Sequence, residues 1–257
     1  MQTQFERLTD GQWEIIKLFL DWQRKREIDL RDVFDAILSL TRTGTQWRNL
    51  DSQFPDWTAV YYYFDKWTRN GALERINVTL NVLERIDAGR EAAPSLCIAD
   101  SQSVKLAPMI FEDRGIDGNK KVNGRKRQLL VDTRGRIWKV RAHAANQHDS
   151  PAGVGLVEGL RTLMPRLRKV IADKSYRGTF CRAVEDQKLS FETPQREEGA
   201  KGFAVQANRW VVERTIAWLK FFRRVVIDYE HTLESSQSFL ILANISMTVW
   251  RISYLTK

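Results

Sequence analysis

Two short apolar runs end in the same way. Leu96-Cys97-Ile98-Ala99 leads into Asp100, and Val170-Ile171-Ala172 leads into Asp173. Uninterrupted apolar runs of this length predict strands buried on both faces, inside a sheet covered by helices. An acid at the end of each run puts a carboxylate at the sheet's rim, where open α/β sheets bind ligands. Lying side by side, such strands would bring both carboxylates within reach of one hard cation such as Mg²⁺. Either Asp alone reads equally well as the end of a strand or the cap of a turn. The repetition is what makes the pair informative.

The chain around these runs divides in two. Residues 1–88 read as helical: Thr9 or Asp10 caps a first helix, Asp29 a second that closes at Gly44, and Trp57–Trp67 and Ala72–Ile86 form two more. Short helices joined by tight turns suit a helix-turn-helix-like module. The third helix carries Trp57, Tyr61, Tyr62, Tyr63, Phe64, Lys66, Trp67 and Arg69. Its aromatics fill the module's core, or one of its edges meets DNA. Residues 89–95 form a polar, Pro-containing linker, and 96–257 a second domain. There, Gln128–Asp132 and Ile137–Ala144 flank a Gly-containing turn and predict a hairpin. Asp149-Ser150-Pro151 starts a helix through Leu163, and Leu189–Thr193 adds a strand. Helices over about 204–226 and 235–254 close the chain. The order predicts a mixed sheet with covering helices.

A third acid stands out on the first closing helix. At roughly 100° per residue, Arg209, Ala217, Lys220 and Arg224 fall within about 40° of Glu213. Val211, Val212, Trp218, Leu219 and Phe222 lie round the other side. Glu213 therefore stands on a narrow polar stripe. Two readings are open: a surface ion-pair ladder with Arg209, or a metal-binding carboxylate flanked by cations that hold a phosphate backbone. Two carboxylates from strands and one from a helix would meet the needs of two-metal phosphoryl transfer.

Charge points the same way. The net charge is +9, which favours polyanionic partners, since cations that neutralise phosphates release condensed counterions. Lys120, Lys121, Arg125, Lys126 and Arg127 crowd together between Gly118 and the hairpin; they are a solvated charge run or a phosphate-binding loop. Cys97 and Cys181 form no disulfide framework or zinc motif and suit a reducing cytosol. Met1–Arg7 lacks the apolar core of a signal peptide. Phe239–Trp250, interrupted by Asn244 and Ser246, reads as a buried helix too short to span a bilayer. His143, His148 and His231 show no metal-site spacing and read as structural or surface residues. No Walker-type loop or GxSxG motif occurs, so no nucleotide hydrolysis is expected to drive the chemistry.

Several segments, in order, resemble the motifs of bacterial insertion-sequence DDE transposases, in the branch conventionally numbered five. They are Ile98–Lys105 around the first Asp, the basic segment Asp117–Arg127, Ala172–Gly178 around the second Asp, and Arg209–Leu219 around the Glu. Leu8–Trp13 and Arg42–Arg48 are similar to that family's leading domain. The resemblance implies a ribonuclease-H-like catalytic domain over 96–257, preceded by an all-α DNA-binding domain over 1–88. It implies Asp100, Asp173 and Glu213 as catalytic residues and ligands of two Mg²⁺ ions, with Mn²⁺ able to substitute. Water would cleave the phosphodiester at the element's end, and the freed 3′-OH would attack target DNA. Expected DNA contacts are Lys105, Lys120, Lys121, Arg125, Lys126, Arg127, Arg177, Arg209 and Lys220. A related signature, Tyr-x₂-Arg-x₃-Glu-x₆-Lys, fits Arg209, Glu213 and Lys220, but Gln206 stands where it has Tyr. The stretch from Glu192 to Phe203 is too short for the large domain inserted there in some relatives. Expected partners are double-stranded DNA, as transposon ends and target, and a second copy in an at least dimeric active complex. The expected setting is the bacterial cytoplasm, at the nucleoid and away from membranes. The alternatives are an inactive transposase-derived repressor that only binds DNA, and a nuclease that never joins strands.

Overall fold

The computed structural model describes residues 5–25, 27–194 and 209–255. The chain opens with helices α1 (Asp10–Ile16), α2 (Leu30–Thr43), α3 (Trp57–Arg69) and α4 (Ala72–Asp87). Their ends follow from local chemistry. Thr9 and Gln12 close a reciprocal capping box at α1, Asp29 accepts the Arg31 N–H at α2, and Gly44 leaves α2 at φ 72°. On α3, Val60, Phe64 and Trp67 are buried, whereas Tyr61 and Tyr62 are exposed. Of the six aromatics on this helix only Phe64 and Trp67 are buried, Trp57 and Tyr63 are half-buried, and Tyr61 and Tyr62 leave one edge open, so fewer of them fill the core than the sequence suggests.

The next part of the chain is built on a six-stranded mixed sheet of order β2-β3-β1-β5-β6, with β4 also paired to β3. Its strands are β1 (Leu96–Lys105), β2 (Gly115–Asp117), β3 (Val122–Asp132), β4 (Ile137–Ala144), β5 (Lys169–Ala172) and β6 (Ser190–Glu192). β3 runs antiparallel to β1, β2 and β4, while β5 is parallel to both β1 and β6. The return from β4 to β5 passes through α5 (Asp149–Gly153) and α6 (Leu160–Leu163), and α7 (Thr179–Asp186) joins β5 to β6. The helix expected through Leu163 is broken into short pieces, because Gly153, Gly155 and Gly159 interrupt it, the last at φ 67°. This is the ribonuclease-H-like arrangement that the resemblance implies: a mixed sheet flanked by helices, after an all-helical segment.

Three further sequence expectations need correction. β1 does not end at Asp100 but continues to Lys105, because β3 pairs with it through the register Lys105↔Gly124 after β5 has stopped. The basic segment is not one loop: β3 begins at Val122, so Arg125, Lys126 and Arg127 are strand residues. The helix expected to reach about residue 226 is α8 (Arg209–Leu219); beyond it a turn carries Arg224, which is buried and paired to Glu230 Oε1 at 2.6 Å. Arg224 thus leaves the Glu213 stripe. The expected helical start near residue 204 lies outside the described residues.

The last helix, α9 (Leu233–Val249), is apolar on nearly every side. It is the buried helix expected from the sequence, and it packs with α2, α3 and α4. Phe239 stacks on Phe64 at 4.8 Å between centroids, and Asn244 Nδ2 donates to Asn77 Oδ1 and Asn81 Oδ1 at 2.6 and 3.0 Å. The Asn244 interruption in this run is thus partnered inside a core. Residues 219–257 accordingly form one compact unit with 1–90, and 91–218 form the other. That division differs from an uninterrupted 96–257 domain, since an all-round apolar helix is buried only where other helices surround it. No helix among the described residues is long and apolar enough to cross a membrane.

Candidate active site

β1 and β5 are in parallel register, with Ala99 opposite Ala172. Asp100 and Asp173 are therefore the next position on each, and neighbouring strands lie about 4.8 Å apart. The two differ in backbone setting. Asp100 sits within β1, its Oδ1 accepting the Ser101 N–H at 2.8 Å. Asp173 caps a single 3₁₀ turn, Lys174–Tyr176, and accepts the Ser175 N–H at 2.8 Å together with the Ser175 hydroxyl. The capping fixes the backbone that leaves the strand at the point where a ligand would bind.

That turn is anchored to the sheet from within. The Tyr176 side chain is fully buried and its hydroxyl donates to Gln128 Oε1. Gln128 Nε2 donates to Asp149 Oδ1 at 3.1 Å and lies 3.1 Å from His143 Nε2. His143 Nδ1 is 2.9 Å from the Ala144 carbonyl, so Nδ1 carries the proton and Nε2 accepts from Gln128. Lys126 Nζ reaches Asp149 at 3.4 Å and Asp117 at 3.9 Å, and Ser103 Oγ donates to Asp117 Oδ2 at 2.5 Å. A continuous buried polar chain therefore runs from the Asp173 turn to the β2–β3 turn.

The charges in this chain follow from burial first. Burial, and then the carboxylates of Asp100, Asp149 and Asp173, hold the Tyr176 hydroxyl well above its usual range, so it remains a donor. Burial, with the Lys126 ammonium nearby, lowers His143 and keeps it neutral. At Asp117 burial pushes upward, but hydrogen bonds from Ser103 and from the Lys120 and Asn119 backbone, with the Lys126 charge, outweigh it and leave the carboxyl below the usual range.

Glu213 stands differently. On α8, Val211, Val212, Thr215 and Leu219 are buried while Glu213 and Ala217 are exposed, as the helical stripe predicts. The helix is fastened to the β3–β4 turn: Thr215 Oγ1 donates to the Gly135 carbonyl at 2.9 Å and Arg214 to the Arg134 carbonyl at 3.2 Å. The Arg214 guanidinium lies between Trp210 and Trp218, at 4.5 and 4.4 Å from their centroids. Gly135 is required at this turn. Its φ is +82°, and a Cβ would come within 2.5 Å of Thr215 Oγ1.

The donor chemistry of Asp100 and Asp173, hard carboxylate oxygens on adjacent strands, fits a divalent cation. Among the described residues, however, no group of three or more His, Cys, Asp or Glu could hold a metal ion. The register sets Asp100 and Asp173 at matching positions on neighbouring segments, and among the described residues Glu213 does not complete a three-carboxylate group with them. Of the expected DNA contacts, Lys105, Lys120, Lys121, Arg177 and Lys220 are exposed. Arg125, Lys126 and Arg127 are not surface cations: β3 buries them, and their exposures are 0%, 7% and 2%. Arg125 instead donates to the Glu112 carbonyl at 2.8 Å, and Lys126 to the Gln147 carbonyl at 3.0 Å. The Arg209 side chain lies outside the described residues. Sequence reasoning missed Tyr176, Gln128 and Asp149. The one available signal was Gln128, a lone amide leading into the apolar run Leu129-Leu130-Val131.

Residues 8–77 match the family model described as "Putative transposase of IS4/5 family", and residues 91–248 match the model "Transposase DDE domain". Over 127 residues the chain is 29% identical to the "Putative transposase for insertion sequence element IS402" of Burkholderia cepacia; the matched part is 46% of this chain and 60% of that protein. The chain thus spans less than two thirds of that relative's length.

Proposed function

Because the chain belongs to the transposase DDE domain family, we propose that it binds the ends of an insertion sequence, cleaves them and joins the freed 3′-OH to target DNA. The observation that supports this reading is the parallel register that ends at Ala99↔Ala172, one residue before Asp100 and Asp173. In cleavage, a water oxygen forms a bond to phosphorus and the P–O3′ bond breaks, leaving a 5′-phosphate and a 3′-OH that gains a proton. In joining, that 3′ oxygen attacks a target phosphorus and displaces a target 3′ oxygen, so no external energy source is needed. Asp100 and Asp173, with Glu213, would hold two Mg²⁺ ions. Such a pair activates the attacking oxygen and stabilises the leaving one.

The residues of this chain do the positioning. Tyr176 and Gln128 hold the Asp173 turn against the sheet, and Ser101 and Ser175 orient the two carboxylates. Exposed Lys105, Lys120, Lys121, Arg177 and Lys220 face solvent where a phosphate backbone can meet them, with Arg209 assigned the same role. Since Glu213 is not gathered with the pair, bound DNA would bring it in. The active complex on two DNA ends contains at least two copies and works at the bacterial nucleoid. The test uses purified protein, Mg²⁺ and DNA bearing the sequences that flank its own coding region. Asp100→Asn, Asp173→Asn and Glu213→Gln each abolish end cleavage while DNA binding persists. Full cleavage by any of them contradicts the assignment.

That no three-carboxylate group forms among the described residues also motivates a second reading, a DNA-binding repressor without catalysis. Binding with no strand breakage by the unaltered protein in the same assay selects it.

A further inference from the structure

The segment between β1 and β2 holds large apolar side chains away from the protein. Met109 and Phe111 are 81% and 73% exposed, the highest values among the exposed large apolar residues described, and Ile116 beside them is 62% exposed. Exposed apolar residues on a mobile loop would mean little, but this loop is staked in place. Arg114 donates to the Ala107 carbonyl at 2.7 Å, to the Ile110 carbonyl through Nε at 3.0 Å and to Asn123 Oδ1 at 3.4 Å. Arg125, fully buried, donates to the Glu112 carbonyl from beneath. Leu106, Ala107 and Ile110 form a small buried cluster under the tip. The loop is thus built to keep Met109 and Phe111 out.

We propose that Met109 and Phe111 form an apolar wedge that enters between stacked bases of duplex DNA near the cleavage site. The charge around the tip suits that occupant. Lys105 precedes the loop, Lys120 and Lys121 lie in the neighbouring β2–β3 turn, and the register Lys105↔Gly124 keeps these two places together. All three lysines are exposed. Glu112 and Asp113 are the acids on the tip; the Glu112 carboxylate is folded back onto the Phe111 N–H at 3.1 Å, and Arg114 lies 5.8 Å from the Phe111 ring centroid. A second copy of the chain is a poor fit, because a tip of two side chains is far smaller than the ~1,200 Å² that stable interfaces bury. Apolar side chains set among cations are how minor-groove and architectural proteins unstack a base step.

Position supports the role. β1 runs from Asp100 to Lys105, about 17 Å at ~3.3 Å per residue. That length corresponds to about five base pairs at 3.4 Å per step. The wedge would therefore act a few base pairs from the phosphate at Asp100 and Asp173. This inference rests on the reading of DNA as substrate.

The experiment compares binding of the full chain, without divalent metal, to a short fluorescein-labelled duplex and to the same duplex with a central tandem T·T mismatch. Mismatched bases are less costly to unstack, so a wedge binds that duplex more tightly, by roughly tenfold. The Met109→Ala/Phe111→Ala protein loses this preference but still binds the matched duplex, and Phe111→Trp keeps the preference. Because both side chains are exposed, the double variant retains its circular dichroism and melting temperature. A preference unchanged in the double variant, or no preference in the parent protein, overturns the wedge while leaving DNA binding intact. No binding to either duplex overturns the DNA reading itself, and the wedge with it. Self-association of the parent protein in sedimentation that disappears in the double variant assigns the tip to a second copy instead and also overturns the proposal.

Discussion

The two strand carboxylates and the helix carboxylate are held in opposite ways. Asp100 and Asp173 are fixed by sheet register and by a buried hydrogen-bonded chain behind them. Glu213 is exposed on a helix whose attachments include one face of packing, hydrogen bonds from Arg214 and Thr215 to the β3–β4 turn, and the Arg214 guanidinium between tryptophans. The first pair is preorganised; the third acid is presented. Preorganised ligands bind a cation without further rearrangement, whereas a presented one joins when its helix and the substrate meet. On the proposed function, metal binding and DNA binding would then be successive, with Asp100 and Asp173 serving the first and Glu213 the second.

The largest effect that would sharpen this contrast is expected at Tyr176. Tyr176→Phe leaves Gln128 Oε1 without its buried donor and loosens the Asp173 turn. Metal affinity then falls by about 10–100-fold, as for other residues that orient ligands, and stability by ~1–3 kcal/mol. Calorimetric titration with Mn²⁺ checks the first and thermal unfolding the second; affinity equal to the parent's would mean that the Tyr176 anchor does not hold the aspartate pair in place. On the other side, Gly135→Ala sets a Cβ against Thr215 in a left-handed backbone, and is expected to cost about 1–3 kcal/mol. It should weaken cleavage but leave metal affinity unchanged, since it touches the seat of α8 and not the strands. Arg214→Ala acts in the same direction, with a loss of about 0.5–2 kcal/mol from the tryptophan contacts.

Asp35 offers a control: a buried carboxylate with no place in the site. It accepts the Leu8 N–H at 3.0 Å, and burial raises it from 3.8 to about 6 despite Arg7 and Arg31 nearby. The folded state therefore holds this proton more tightly than the unfolded chain does. Stability from this group is full below the unfolded value and is lost as pH rises through about 6. Asp35→Asn removes that dependence, so the variant gains on the parent between pH 4 and 6, by on the order of 3 kcal/mol at neutral pH. Denaturant unfolding as a function of pH checks it. A constant difference between the two proteins across this window would contradict the burial argument.

Much of this was legible in the sequence, and the reasons for the rest are specific. The repeated tetrads located Asp100 and Asp173 because a buried strand has few ways to look. The Glu213 stripe was readable because helical period separates its exposed and buried residues. What the sequence hid was pairing. Nothing near Asp100 shows that β3 keeps β1 extended to Lys105, and that same pairing turns Arg125, Lys126 and Arg127 from a basic patch into buried strand residues. The end of α8 at Leu219 was hidden as well, since Phe221, Phe222, Val225 and Val226 continue an apolar helical pattern that the turn around Arg224 interrupts. Tyr176, Gln128, His143 and Asp149 form one network only after β3, β4, β5 and α5 are folded together. α9 could be read as buried, but not which helices would bury it.

Metal binding to the protein free of DNA separates the roles of the two aspartates from that of Glu213. Mn²⁺ titrations of the parent, Asp100→Asn, Asp173→Asn and Glu213→Gln proteins are compared. Binding is expected to be lost in the two Asp variants and retained, within about threefold, in Glu213→Gln, while cleavage is lost in all. Equal loss of metal binding in all three variants would mean that Glu213 is already part of the free site, contradicting the division between a preorganised pair and a presented third carboxylate.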